Sequence, residues 1–256
     1  MSSFKRLANG SVTTPRGFRA AGVTAGFKRS GAPDFAMLVS DVPANFAGAF
    51  TSCTFAAAPV QVCRKRVLFC DTIRAAVINS GNANACTGDT GISNAEATCV
   101  LAANKLGINS NEVVVSSTGR IGTQLPMDTV KKGIELAVAS LSEEGGELAA
   151  QAIMTTDTVP KSIAVELELD GVVCSIGAMT KGAGMIDPSL KVPHATMLCY
   201  ITTDVKISNA LLSDMIEENV AQSFNRITID GDMSTSEYAP FIRFMARFTA
   251  SSTEDE

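Results

Sequence analysis

In 256 residues there is no tryptophan, and there are only two tyrosines and a single histidine, His194. A Ser-His-Asp mechanism would have to be built on that one imidazole. Basic charge is also short: 21 Lys and Arg stand against 26 Asp and Glu, a formal net charge of -5. No basic stripe interrupts the balance, which argues against nucleic acid as a partner. No apolar run reaches the roughly 18 residues of a membrane span, so no membrane association is expected. Residues 1–14 lack the apolar core of a secretory signal. Lys5 and Arg6, with no acid before Asp34, leave room for an organellar address. The seven cysteines, Cys53, Cys63, Cys70, Cys86, Cys99, Cys174 and Cys199, contain no C-x-x-C pair. Their odd number and scatter fit a reduced interior, each thiol acting as a small core hydrophobe, better than a disulfide framework or a zinc site.

What is present is material for a core. Hydrophobic residues make up 46% of the chain and charged residues 18%, which argues against a disordered chain. Alternating helix and strand signals point to an α/β or α+β fold. Three short apolar runs, Ala36–Ser40, Ala47–Phe55 and Val60–Val62, are separated by turn residues and suggest a meander or mixed sheet. Ala75–Asn79 is a candidate buried strand, followed by a turn-rich stretch, 79–88, that either shapes a site or simply turns the chain. Ser93–Leu106 has helical spacing, with Ser93 as a cap and Gly107 beyond its end. Val113–Val115 is a short strand running into Ser116-Ser117-Thr118-Gly119. If the strand stops there, the Thr118 and Gly119 N–H groups are left unpaired and able to hold a developing oxyanion; Ser-Thr-Gly also serves as an ordinary turn. Asp128–Ser142 and Gly146–Ile153 read as helices. Lys161–Leu169 alternates as a half-buried strand, Asp170-Gly171 is a hairpin turn, and Val172–Ile176 returns. Met197–Thr203 is a strand, Ser208–Asn225 an amphipathic helix and Ile227–Ile229 a further strand. The D-x-D-x-S spacing from Asp230 has Thr235 where a calcium loop needs its sixth-position Gly, so no such loop is expected. The basic-aromatic run after Tyr238 reads as a short amphipathic helix with an acidic tail.

The stretch with most chemical content is Lys181 to Leu198. A lysine opens a run of small residues, Gly182, Ala183 and Gly184; a Pro-bounded loop follows, and Ala195-Thr196-Met197-Leu198 enters an apolar run. A threonine where loop meets strand presents a hydroxyl from a stiff side chain. That suits a nucleophile, and it also describes a loop that merely enters a strand.

Seven segments, in order, resemble the bifunctional ornithine acetyltransferase/N-acetylglutamate synthase family: Pro15–Val23, Val39–Pro43, Asn79–Gly88, Ser117–Gly122, Met154–Thr158, Lys181–Ile186 and Ala195–Leu198. The resemblance runs from about Thr14 to about Ser236. It implies a layered α/β sandwich that cleaves itself between Ala195 and Thr196. The pieces would be an N-terminal chain, 1–195, and a C-terminal chain beginning with 196–237, with 238–256 as a divergent tail. Thr196 would then be the nucleophile, Thr118 and Gly119 the oxyanion hole, and Thr155, Lys181 and Thr196 the substrate contacts. The implied reaction carries acetyl from N-acetylornithine to glutamate in arginine biosynthesis, with no cofactor or metal and with acetyl-CoA as a possible donor. Its partners are small molecules. The implied assembly is a heterotetramer of two alpha and two beta chains, in the cytoplasm or, in a eukaryote, the mitochondrial matrix. Two departures stand out. Asp187 to His194 makes the link to Ala195 a few residues longer than the family's, and the family's C-terminal substrate contacts have no counterpart in this chain, which reads as shortened. A related N-terminal-nucleophile amidase or peptidase, or an inactive shortened relative, are the alternatives.

Overall fold

The computed structural model describes residues 4–50, 55–184 and 197–229, and the backbone of 244–246. Nine strands and five helices are described: β1 (Phe4–Arg6), β2 (Phe18–Val23), β3 (Phe35–Ala44), α1 (Ala58–Phe69), β4 (Ile73–Asn82), α2 (Gly88–Leu106), β5 (Val113–Arg120), α3 (Met127–Ala139), α4 (Gly146–Ala152), β6 (Lys161–Leu169), β7 (Val172–Lys181), β8 (Leu198–Thr203), α5 (Asn209–Gln222) and β9 (Phe244–Ala246).

They form four layers. One sheet has the order β2-β3-β4-β5 and the other β1-β6-β7-β8-β9. The first is antiparallel except for β4 and β5, which run parallel because α2 crosses over between them. Helices α1, α2 and α3 pack on its outer side, where Phe35 of β3 lies against Gly133 of α3. Its inner side faces the second sheet. The alternation of β8 shows how the layers stack: Leu198 and Tyr200 join the main core with β3, β4 and β5, whereas Cys199 joins Leu212, Ile216 and Val220 of α5 in a separate cluster. The Tyr200 hydroxyl reaches across the sheets and donates to Ser116 Oγ.

Local chemistry explains several boundaries. Asp170 and Gly171 both take positive φ, 51° and 79°, and make the β6–β7 hairpin. Gly107 closes α2 in the left-handed conformation. Ser208 caps α5, its side chain accepting from Leu211 N–H.

Other expectations are corrected. Val60–Val62 lies inside α1: Pro59 sits in its first turn, and Val60 and Cys63, one turn apart, face the core. A short apolar run does not itself distinguish strand from buried helix. Residues 47–50 form no strand; Ala47 and Ala49 are instead buried beneath α5, and 51–54 lie outside the described residues. Helix α2 begins earlier than Ser93, at Gly88. Ile227–Ile229 is irregular and carries two exposed isoleucines rather than a paired strand. Within the tail expected to be helical, 244–246 pairs parallel to β8, while the rest of it and the segment from Asp230 lie outside the described residues. Six cysteines are free and four of these are buried, but Cys86 is exposed and Cys70 only half-buried, so the core assignment fails for those two; Cys53 is not described. Among the described residues no helix is long and apolar enough to cross a membrane.

Candidate active site

A cleft of about 890 Å³ opens where the polar ends of β4 and β5 meet the end of β7. Gly81, Thr118, Gly119, Thr155 and Gly184 line it, with the segment Phe27–Ser30 and Arg120 at its sides. Lys28, Arg29 and Arg120 give it positive charge, and no carboxylate lines it among the described residues.

Strand β5 does not stop at Val115. It continues through Thr118 and Gly119, paired with Ser80 and Gly81 of β4. The expectation of a strand ending in a turn is therefore corrected. Because β5 is an edge strand, it is paired on one side only and half its N–H groups point away from β4. Gly119 has φ +130°, and a Cβ there would sit 2.5 Å from the Gly81 carbonyl carbon. The close approach of two strands at the cleft thus requires glycine at this position.

The stretch 79–88 divides its labour. Gly81 lines the cleft. Its asparagines are engaged within the protein: Asn79 Oδ1 accepts from Ser117 Oγ (2.7 Å), Asn82 Nδ2 donates to the carbonyls of Thr123 and Gln124 (3.1 Å each), and Asn84 Nδ2 donates to Gly91 O (2.9 Å). Asn84 itself is left-handed, φ 47°. The expected loop is therefore shorter: Asn79–Asn82 belong to β4, and only the turn from 83 to 87 connects it to α2, the whole forming a hydrogen-bonded brace beside the cleft.

Lys181, at the end of β7, is 1% exposed, and its Nζ donates to Thr118 Oγ1 at 3.1 Å. Burial pulls its pKa down to about 8, against the opposing pull of Asp157 and with a smaller push in the same direction from Lys161 and Lys28. Asp157 was not anticipated as a site residue. Its carboxylate accepts from Lys161 Nζ (2.5 Å), from Gly182 N–H (2.7 Å) and from Thr155 N–H (3.3 Å). Burial opposes its charge, but these donors and the nearby Lys181 charge outweigh burial and hold it below the ordinary carboxylate value. It ties the Thr155–Lys161 stretch to the chain just after β7. The sequence signal, an Asp in a Thr-rich turn, is indistinguishable from a capping residue. Lys28 has its pKa lowered by burial, offset in part by Asp34 and Asp157, and donates to Pro33 O at 2.6 Å.

Thr118, Gly119 and Thr155 thus line one cleft, and Lys181 supports it from below. Ala195, Thr196 and His194 lie outside the described residues. Thr196 is two residues before Leu198, which pairs with Lys181 in the β7–β8 ladder.

Comparison with known proteins identifies the family. The ArgJ family model matches residues 19–254, past Ser236 and into the tail. The arginine biosynthesis bifunctional protein ArgJ of Thermosynechococcus vestitus is 47% identical over 237 residues, 93% of this chain and 55% of that protein. Its counterpart in Symbiobacterium thermophilum is 49% identical over 89% of this chain and 56% of its own length. The chain therefore spans about half the length of the curated relatives it matches. Among solved structures, ArgJ from Bacillus halodurans superposes with a TM-score of 0.68 at 35% identity, covering 73% of this chain and 97% of that one. Ornithine acetyltransferase from Mycobacterium tuberculosis, solved with ornithine, gives 0.67 at 42% identity, covering 73% and 99%. An aminopeptidase from Ochrobactrum anthropi with a variant of the Ntn hydrolase fold, at 12% identity and a TM-score of 0.55, shares the fold. With two stacked sheets between helices and a family match over nearly its whole length, this chain belongs to the ArgJ family.

Proposed function

We propose that this chain forms the acetyl-transfer site of a self-cleaving enzyme that moves acetyl from N-acetylornithine to glutamate. Thr196 Oγ attacks the carbonyl carbon of Ala195; the acyl group shifts from nitrogen to oxygen, and water cleaves the ester. This frees an α-amino group at Thr196 whose unperturbed pKa is near 8. That amine then takes the proton of its own hydroxyl, which makes a threonine nucleophilic without a histidine base. The acetyl group passes to Thr196 and then to glutamate. Thr118 and Gly119 stabilise the tetrahedral oxyanion, and Thr155 contacts substrate. The positive charge of Lys28, Arg29, Arg120 and Lys181 at the cleft suits the carboxylate that both amino-acid substrates carry.

The observation that carries this reading is the pairing of Leu198 with Lys181, whose amine touches Thr118. Two residues of chain span at most about 7 Å, a length that supports a Thr196 within reach of the cleft that Thr118 and Gly119 line. Chain lengths add support. If 73% of 256 residues makes up 97% of the Bacillus halodurans chain, that chain has about 190 residues, close to the stretch before the proposed cut. By contrast, 237 residues being 55% of the Thermosynechococcus protein makes that protein about 430 long.

Denaturing mass analysis tests the reading. Two polypeptides, one starting at Met1 and the other at Thr196, are expected, and Thr196→Ala should give one uncut chain with no acetyl transfer. A single uncut wild-type chain removes the mechanism. Acetylglutamate formed from N-acetylornithine marks the transferase; acetate formed without it marks a hydrolase. Acetyl-CoA as an alternative donor, an assembly of two alpha and two beta chains, and a cytoplasmic or matrix setting complete the proposal.

A further inference from the structure

Thr118 carries one proton and Lys181 up to three, and the direction of the bond between them decides what each can offer the cleft. A charged ammonium can only donate. At 3.1 Å, Thr118 Oγ1 is therefore the acceptor while Lys181 is charged. Both residues are buried, at 4% and 1% exposure, so water does not compete readily for the contact. No other described residue accepts the Thr118 proton, and Thr118 lines the cleft. The proton is left for whatever occupies that cleft. A neutral lysine amine, by contrast, has a lone pair. It can accept from Thr118, and the hydroxyl then turns its proton inward and presents oxygen lone pairs to the site.

The groups around Lys181 set which state holds. Asp157, from the loop before β6, favours the charged form; Lys161 on β6 and Lys28 from the β2–β3 connection oppose it, as does burial. Asp157 is itself fixed by Lys161 Nζ, Gly182 N–H and Thr155 N–H, with a side chain only 1% exposed. It is a rigid negative charge rather than a mobile surface carboxylate.

We propose that Lys181, kept charged by Asp157, is a positioning residue that sets the direction of the Thr118 hydrogen bond, so that Thr118 donates into the cleft only while Lys181 holds its proton. This rests on the proposed role of Thr118 as an oxyanion donor. It differs from a role in which Lys181 simply grips a substrate carboxylate, and two measurements separate the two.

The first needs no catalysis. Lysine-selective NMR titration should find Lys181 losing its proton near pH 8. Thr118→Val removes an acceptor and should lower that value by about half a unit; Asp157→Asn removes a negative charge and should lower it by about one unit. An unchanged Lys181 titration in Thr118→Val overturns the proposal. Thr118→Ser restores the hydroxyl and should restore the wild-type value.

The second is a double-mutant cycle on the full chain, with N-acetylornithine and with N-acetyl-1,4-diaminobutane, which lacks the carboxylate. Lys181→Met and Thr118→Val should each lower kcat about 10- to 100-fold, and the double variant should be no worse than the poorer single one. The Lys181→Met loss should be the same on both substrates. Penalties that multiply, or a Lys181→Met loss that vanishes without the carboxylate, overturn the proposal. If the wild-type chain transfers no acetyl at all, the proposed function fails, while the titration still decides the Lys181–Thr118 coupling.

Discussion

Strands β4 and β5 lie side by side, and each changes character halfway. Their first halves, Ala75–Ile78 and Val113–Val115, are apolar; their second halves, Asn79–Asn82 and Ser116–Gly119, are polar. Burial does not distinguish them. Ile78 and Val114 are fully buried, and so are Ser80 at 0% and Ser116 at 2% exposure. What differs is how each half is held. The apolar half is stabilised by removing hydrocarbon from water, with no directional requirement. The polar half is stable only because nearly every buried group has an assigned partner: Asn79 with Ser117, Ser80 with the Ala152 carbonyl, Ser116 with Tyr200, and Thr118 with Lys181. A network with so little slack leaves few groups pointing at the cleft, and fixes those few. The comparison therefore assigns stability to one half and chemistry to the other.

Ile78→Ala is the largest expected perturbation. It removes a fully buried side chain from the centre of the main core and should cost about 2–5 kcal/mol in denaturant unfolding. The protein that remains folded should keep its Lys181 titration unchanged; a shifted titration would mean the two halves are coupled and the division is wrong. Asn79→Ala should cost less, about 1–3 kcal/mol, because it strands Ser117 Oγ and the Asn82 carbonyl without partners. Here the division predicts a larger loss in acetyl transfer than the stability change alone accounts for. A purely proportional loss would count against it.

The smallest effects lie in the pH dependence of stability. Lys181 has a folded pKa near 8, below its ordinary 10.5. Between those values the unfolded chain holds a proton that the folded chain has released, so stability should rise with pH across that window. Lys181→Met should flatten the rise and, below pH 8, should not be less stable than wild type. Such an outcome would show a residue retained at a cost in stability. Asp157 acts at the other end. Its folded pKa lies below the ordinary 3.8, so its contribution is complete above that value and is lost as pH falls through the lowered one. Asp157→Asn should remove that acid-side loss in a pH series of unfolding curves.

Features carried by local chemistry were legible in the chain. The β6–β7 hairpin follows from Asp170-Gly171, the end of α2 from Gly107 and the start of α5 from Ser208, because in each case one or two residues set the backbone by themselves. Features that depend on neighbours were not. The run Val60–Val62 became helix because α2 and β5 offered a surface for one face of α1. Ile227–Ile229 found no strand to pair with among the described residues and stayed irregular. Ser116–Gly119 looked like the end of a strand because its residues are turn formers; it remained strand because β4 runs beside it to Gly81.

The site shows the same boundary. Thr118, Gly119, Thr155 and Lys181 could be named from the chain because small, hydroxylated and charged residues in that order resemble a known family. Asp157 could not, because its importance lies in a contact only the fold makes: the Gly182 N–H from the end of β7 joins the two local donors, Lys161 and Thr155, on its carboxylate. Composition and local pattern determined an α/β or α+β chain with a lysine shortly before a threonine at a strand entrance. Only the stacking of two sheets placed that lysine against Thr118, sixty-three positions earlier. Exclusion of water by that stacking brought the amine's pKa near neutrality, a property of the surroundings that no residue carries alone.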